Sequence, residues 1–188
     1  MAWQRREDHR VFSIDPTSRG FGFAVLEGVG TLIDWGTRDI GRADSGGALR
    51  EIGALLDHYA PDVVVVEDTA DRSSRRRTRV RSLIAAATRD AAARGVSVDR
   101  VSRSQVLLLF EHAEATTKNR IAEVIAGHFP ELSPHIPPFR KPWMSEDVRM
   151  SIFDAVAFAL VYYYRCSDNS PVTFASSSTP ASPPSPAT

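Results

Sequence analysis

Three carboxylates stand inside apolar segments of this 188-residue chain, where an ionised side chain is costly. Asp15 closes the strand-like run VFSID, Glu67 closes VVVVE, and Asp154 lies within IFDAVAFALVYYY. Burying a carboxylate costs several kcal/mol unless it is paired or binds a metal ion. Three such residues in one chain therefore suggest a shared cation.

Each of the three carboxylates also has an ordinary interpretation. Asp15 precedes the turn PTSRG, and an aspartate before a Pro-containing turn commonly caps it. Glu67 is equally compatible with a solvated side chain at the end of a strand. Asp154 is compatible with a structural aspartate that is held by hydrogen bonds. The pattern alone leaves these alternatives open.

The segments around the carboxylates predict strands first, and then alternating strands and helices. Val, Phe and Ile patterns predict strands at 11–15, in FGFAVLEG, in TLIDWGTRDI, at 63–66 and in VSVDRV. Apolar residues with helical spacing predict four helices. The first covers about 47–59 and the last surrounds Asp154. The two between them carry the stripes Val80, Leu83, Ile84 and Ala87, and Ile121, Val124 and Ile125.

This order of elements predicts an α/β fold: a five-stranded mixed sheet of three antiparallel strands and then two parallel ones, with helices on both faces. The four valines at 63–66 are typical of a strand buried on both sides. In such sheets, ligands bind beyond the carboxyl ends of the strands. If the strands of Asp15 and Glu67 are neighbours, both carboxylates emerge at the same edge.

Composition limits the class of protein. Hydrophobic residues make up 43% and charged residues 24%, which is typical of a soluble globular domain. No apolar run approaches the roughly 20 residues that span a bilayer, and the first residues lack a secretory pattern. The single Cys166 excludes an internal disulfide and a cysteine-based zinc site. We expect a cytoplasmic protein without a membrane partner.

The chain is predicted to contain one domain with two less ordered ends. We expect a flexible N-terminus over 1–9, one folded domain over 10–166, and a disordered tail over 167–188. The tail is rich in Ser, Thr, Pro and Ala and has little apolar bulk to offset the entropy of ordering.

Basic residues are concentrated just after Glu67, although the formal net charge of the chain is zero. Six arginines fall within ten residues, and we call them the arginine run: Arg72, Arg75, Arg76, Arg77, Arg79 and Arg81. A phosphate backbone bound there would pass beside the proposed cation site. The alternative is a solvated, basic helix start, although arginines at a helix N-terminus oppose the macrodipole.

A Pro-rich segment, PHIPPFRKPWM, is a second candidate contact with nucleic acid. Arg140 and Lys141 could bind phosphate, while Phe139 and Trp143 could stack on a base, press against a partner subunit, or pack on the protein's own core.

Taken together, these motifs resemble the RuvC-type Holliday-junction resolvases of the RNase H-like superfamily. SIDPTSRGFGFAVLEG resembles their first hairpin, with Thr17 where the family has Gly. VVVVE before a basic helix resembles their second acidic strand, and FDAVAFAL resembles their last helix. TTKNRIAEVI resembles a basic residue ahead of an amphipathic helix, which implies a phosphate-contacting role for Lys118. The resemblance covers about residues 10 to 165.

The resemblance implies a homodimeric endonuclease that hydrolyses phosphodiester bonds in branched DNA by a two-metal mechanism, in DNA recombination or repair. Asp15 would bridge two Mg²⁺ ions, Glu67 would hold one and Asp154 the other, with Mn²⁺ as an alternative metal. Two related functions stay open: a catalytically weak or inactive DNA-binding module, and a ribonuclease acting on RNA–DNA hybrids. An actin-like ATP-binding protein is disfavoured, because the chain has no second phosphate-binding hairpin.

One position departs from the resolvase pattern. Resolvases usually carry an acidic residue or histidine three positions before the last helical Asp, where this chain has Ser151, a poor magnesium ligand. Asp147 and Glu146, seven and eight residues before Asp154, are predicted substitutes on roughly the same helical face. SEDVRM is equally compatible with a plain helix start that has Ser145 as its N-cap.

Overall fold

A computed structural model describes residues 8–41, 44–72, 74–138 and 146–167. The strands are β1 (Arg10–Pro16), β2 (Gly20–Glu27), β3 (Leu32–Asp39), β4 (Val63–Glu67) and β5 (Ser97–Val101). The helices are α1 (Ser45–Tyr59), α2 (Thr78–Ala93), α3 (Arg103–Phe110), α4 (Lys118–His128) and α5 (Met150–Cys166), with 3₁₀ turns at Glu111–Ala113 and Pro130–His135. None of the helices in these ranges is long and apolar enough to cross a membrane.

The five strands form one mixed sheet in the order β3-β2-β1-β4-β5. β1, β2 and β3 pair antiparallel, whereas β4 pairs parallel with both β1 and β5. The predicted fold class is therefore confirmed, including the adjacency of the first and fourth strands. That adjacency brings the carboxyl ends of β1 and β4 to the same edge.

Helices cover both faces of the sheet. Alternate side chains of a strand point to opposite faces, so Val63 and Val65 pack with α3, α4 and α5, while Val64 and Val66 pack with α1 and α2. All four valines are at most 4% exposed. The predicted burial of this strand on both sides is confirmed.

Helix α5 lies against the centre of the sheet and is buried along nearly its whole length. The Ser13 hydroxyl of β1 donates a hydrogen bond of 2.7 Å to the Ala155 carbonyl of α5. A Cβ at Gly22 of β2 would lie 2.3 Å from the Ser151 hydroxyl oxygen and 2.4 Å from the Ser151 carbonyl carbon. The helix therefore approaches β2 more closely than any residue larger than glycine would allow.

Two sequence expectations about helices were wrong. Helix α3 was not predicted, because it is short and its Leu107 and Leu108 are exposed, so it has no clear apolar stripe; the capping box of Ser102 and Gln105 defines its start. Helix α5 begins at Met150, so Glu146 and Asp147 precede it and do not share a helical face with Asp154.

The chain ends are described only in part. His9 falls within the N-terminus that the sequence predicts to be flexible. Its Nδ1 lies 2.6 Å from the Tyr162 hydroxyl oxygen. Its carbonyl accepts a hydrogen bond of 2.6 Å from the Tyr163 hydroxyl. Residues 1–7 and 168–188 lie outside the described residues, so the predicted boundaries stay predictions.

Replacing Gly22 with Ala is expected to lower the free energy of unfolding by about 1–3 kcal/mol, because the added methyl group overlaps α5 at Ser151. Urea denaturation followed by circular dichroism measures this change. Gly127→Ala is the matched control: it lies in α4 with open space around the new methyl group, and alanine favours helix over glycine. Equal stabilities of Gly22→Ala and wild type would contradict the close approach of α5.

Candidate active site

The pairing of β1 with β4 determines where the first two carboxylates lie. Ile14 is opposite Val66 in the parallel register, so Asp15 and Glu67 follow as the next residues of two adjacent strands. Asp15 is 2% exposed and Glu67 is 6% exposed. Asp15 follows Val11 by four positions and Glu67 follows Val65 by two, so both side chains lie on the face of the sheet that packs against α5.

Asp154 approaches the same edge from α5. Its position next to Ala155, whose carbonyl accepts the Ser13 hydroxyl, places it over the end of β1, and it is 4% exposed. Its charge acts directly on Asp15, as does that of Glu67. The structure therefore brings together the three carboxylates that the sequence singled out.

Arg76 bridges the two strand carboxylates. Its Nε donates to Glu67 Oε2 at 2.5 Å, one Nη donates to Asp15 Oδ1, and the other Nη donates to the Pro16 carbonyl at 3.2 Å. A planar guanidinium suits such a bridge because its N–H groups diverge in a fixed geometry. The sequence predicted Arg76 only as a DNA contact, whereas the structure places its side chain between Asp15 and Glu67.

Two further cations hold Asp154. Lys118 is the first residue of α4, and its Nζ donates to Asp154 Oδ2 at 2.6 Å. Arg103 is the first residue of α3, and its Nη1 donates to Asp154 Oδ1 at 2.8 Å. Lys118 Nζ also lies 2.7 Å from Glu146 Oε1. The side chain predicted to contact phosphate thus lies inside the carboxylate cluster.

The surroundings make the carboxyl groups unequal. Burial raises the pKa of Asp15 to about 7, an effect that Arg76 opposes and that Asp154 reinforces. Burial would also raise the pKa of Asp154, but Lys118 and Arg103 outweigh it, so that pKa falls below its ordinary value. Burial disfavours the charge of Lys118, yet Asp154 and Asp15 raise its pKa. Asp154 therefore holds its negative charge more firmly than Asp15 does.

Ser151 offers no acidic group to the site. It is buried, and its hydroxyl donates at 2.6 Å to the carbonyl of Val148, two residues before α5 begins. Asp147 accepts two side-chain hydrogen bonds of 3.0 Å from Arg149. Glu146 is 54% exposed and shares Lys118 with Asp154. Of the two predicted substitutes, Glu146 is linked to the cluster through Lys118.

The donor set suits a hard divalent cation, because Mg²⁺ prefers carboxylate oxygens. Among the residues that the structure describes, however, no group of three or more His, Cys, Asp or Glu side chains is arranged to hold a metal ion. The three carboxylates are instead paired with cations: Arg76 contacts Asp15 and Glu67, while Lys118 and Arg103 contact Asp154. The positive charge of Arg76 would therefore oppose a metal ion bound to Asp15 and Glu67.

The rest of the arginine run faces solvent. Helix α2 begins at Thr78, so Arg72, Arg75, Arg76 and Arg77 precede it, while Arg79 and Arg81 lie in its first turns. All of them except Arg76 are exposed. The run therefore presents five outward cations beside one that is turned into the site. Arg140 and Lys141 of the Pro-rich segment lie outside the described residues.

Arg103 is the site residue that the sequence analysis missed. It follows the end of β5 by two positions, and Val101 at that end pairs with Glu67. A signal was present in the sequence: a basic residue directly after a strand reaches the same sheet edge as carboxylates that end neighbouring strands. Arg103 was passed over because α3 had not been predicted.

Comparison with known proteins identifies the fold. The sequence matches no protein-family model and no curated protein. Thermus thermophilus RuvC is structurally similar, with a TM-score of 0.60, 20% identity, and coverage of 85% of this chain and 97% of RuvC. The same protein in complex with a Holliday junction substrate matches with a TM-score of 0.60 and 19% identity, over 85% of this chain and 96% of RuvC.

A second resolvase supports the same assignment. The yeast mitochondrial Holliday junction resolvase Ydc2 matches with a TM-score of 0.58 and 13% identity, over 85% of this chain and 80% of Ydc2. These likenesses agree with the sheet order and with the helices on both faces. The chain therefore has the RuvC-type resolvase fold of the RNase H-like class.

Proposed function

We propose that this protein is a divalent-metal-dependent endonuclease that hydrolyses phosphodiester bonds in branched DNA, as a Holliday-junction resolvase does. The observation that carries the proposal is the convergence of Asp15, Glu67 and Asp154 at one sheet edge, beside the exposed arginines. The RuvC structure with a junction substrate supports branched DNA as the substrate class. Recombination or repair would be the corresponding process.

Asp15, Glu67 and Asp154 would hold the divalent ions, with Mg²⁺ expected and Mn²⁺ as an alternative. When bound, such ions activate a water molecule and neutralise charge on the phosphate and the leaving oxygen. Glu146 is the candidate for an additional ligand, because it lies next to Lys118. Asp147 is a weaker candidate, since it is hydrogen-bonded to Arg149.

The protein's own cations would bind and orient the DNA. The exposed arginines would contact phosphates, which supplies affinity and register without reading the base sequence. Arg140 and Lys141 are proposed to extend this surface. Lys118 and Arg103 would hold the Asp154 carboxylate in place, and Lys118 could also reach the phosphate. A homodimer is expected, because a four-way junction presents two symmetric strands for cleavage.

A DNA-binding module with weak or absent catalysis is the second candidate. Ser151 at the usual acidic position and the cations on the three carboxylates favour it. Such a module would bind a junction in a salt-sensitive manner and yield no product with magnesium. A ribonuclease of the same fold would instead cut an RNA–DNA hybrid.

Incubation with a four-way junction and Mg²⁺ is expected to yield nicked duplexes, and Asp15→Asn is expected to lower the rate by on the order of 100-fold or more, because it removes the central carboxylate. Denaturing gels measure the products, with a linear duplex and an RNA–DNA hybrid as alternative substrates. Glu123→Gln is the matched control, since it removes one exposed carboxylate on α4 away from the site. Junction cleavage by Asp15→Asn at the wild-type rate would contradict the nuclease proposal.

Junction binding in EDTA is expected to weaken steeply with salt. Replacing both Arg75 and Arg79 with Gln should lower the slope of log affinity against log salt by up to about 2, because each lost phosphate contact removes about 0.9. Fluorescence anisotropy across a NaCl series measures the slope. Arg89→Gln, an exposed arginine farther along α2, is the control. A slope unchanged by the double substitution would exclude the run from the DNA interface.

Arg103→Gln is expected to slow cleavage by about 10–100-fold with little change in junction affinity, because Asp154 loses one of its two cationic partners. Arg103→Lys should restore part of the rate, since it keeps the charge. Single-turnover kinetics separate the rate from the affinity. A loss confined to affinity would instead assign Arg103 to DNA binding.

A further inference from the structure

Arg76 differs from the other members of the arginine run, all six of which the structure describes. Its side chain is 21% exposed, whereas Arg75 and Arg77 on either side of it are exposed. It makes three hydrogen bonds, to Asp15, Glu67 and the Pro16 carbonyl. A long, charged side chain is rarely buried without a specific partner.

The partners of Arg76 are two of the carboxylates proposed to hold metal. One positive charge lies between two negative charges at sites that are almost fully buried. Arg76 contacts one oxygen of each carboxylate, and a divalent cation bound to the same two carboxylates would repel the guanidinium. Arg76 and a metal ion would therefore compete for Asp15 and Glu67.

The position of Arg76 in the chain allows it to leave. It lies one residue before Arg77, the N-cap of α2, so its side chain can turn outward without disturbing the helix. A phosphate group is the natural acceptor outside, because guanidinium binds phosphate through paired N–H groups. The exposed Arg75 and Arg77 would bring a phosphate backbone close to it.

We propose that Arg76 is a displaceable cation that competes with the divalent metal for Asp15 and Glu67, and that it transfers to a DNA phosphate when the substrate binds. This inference rests on the proposed function. It gives Arg76 two successive partners: carboxylates in the free protein, and phosphate in the complex. Metal binding and DNA binding are then positively coupled, and by linkage the coupling is reciprocal.

The first test measures Mn²⁺ binding to the DNA-free protein by electron paramagnetic resonance, without any cleavage. Arg76→Gln is expected to bind Mn²⁺ about tenfold more tightly than wild type, because the competing charge is gone. Arg89→Gln, in α2 and without a carboxylate partner among the described contacts, should match wild type. Equal Mn²⁺ affinities of wild type and Arg76→Gln would overturn the inference.

Two further variants serve as controls for loss of folding and for Mn²⁺ binding at another site. Arg76→Lys keeps one positive charge but cannot bridge both carboxylates, so an intermediate affinity is expected. Asp15→Asn combined with Arg76→Gln should remove the gain in affinity. A gain that persists in the double variant would place the metal at another site and would also overturn the inference.

The second test adds a four-way junction with phosphorothioate linkages across the branch, which slow hydrolysis. The junction is expected to increase the Mn²⁺ affinity of wild type about tenfold, and to change that of Arg76→Gln little, because Gln has no charge to transfer. Equal increases in both proteins would overturn the transfer of Arg76 to phosphate. Tighter Mn²⁺ binding by Arg76→Gln without junction cleavage would support the competition while rejecting the nuclease proposal.

Discussion

Three buried carboxylates lie at one edge of the sheet, and their negative charges require cationic partners from the surrounding elements. Asp15, Glu67 and Asp154 are each at most 6% exposed, and an unpaired carboxylate in such surroundings costs several kcal/mol. Three cations balance them: one precedes α2, one starts α3 and one starts α4. The starts of three helices therefore converge on the ends of β1 and β4.

Backbone packing brings the carboxylates close enough to need this balance. The parallel register of β1 and β4 sets Asp15 beside Glu67, and α5 is held against β1 by the hydrogen bond from Ser13 to Ala155. Gly22 lets the start of α5 approach β2 closely. The result is a cluster whose three acidic and three basic groups offset one another. Each buried carboxylate of the cluster therefore has a cationic partner in the folded protein.

The fold and the acidic residues were largely readable from the sequence. Four successive valines and the alternating first strands predicted the mixed sheet, because burial on one or both faces leaves a direct pattern in a strand. Asp15, Glu67 and Asp154 stood out because carboxylates are rare in apolar segments. Helix α3 and the true start of α5 were missed, since a short helix with exposed leucines and an irregular approach to a helix carry no clear periodicity.

The sequence by itself determined which residues bear charge and which segments are buried, because those properties depend on residue type and local spacing. Only the tertiary structure decided which charges meet. Arg76 lies 9 positions from Glu67 and 61 from Asp15 along the chain. Arg103 and Lys118 lie 51 and 36 positions from Asp154. Nothing local distinguishes Arg76 from Arg75. Strand register and helix placement turn one arginine of the run inward and leave its neighbours in solvent.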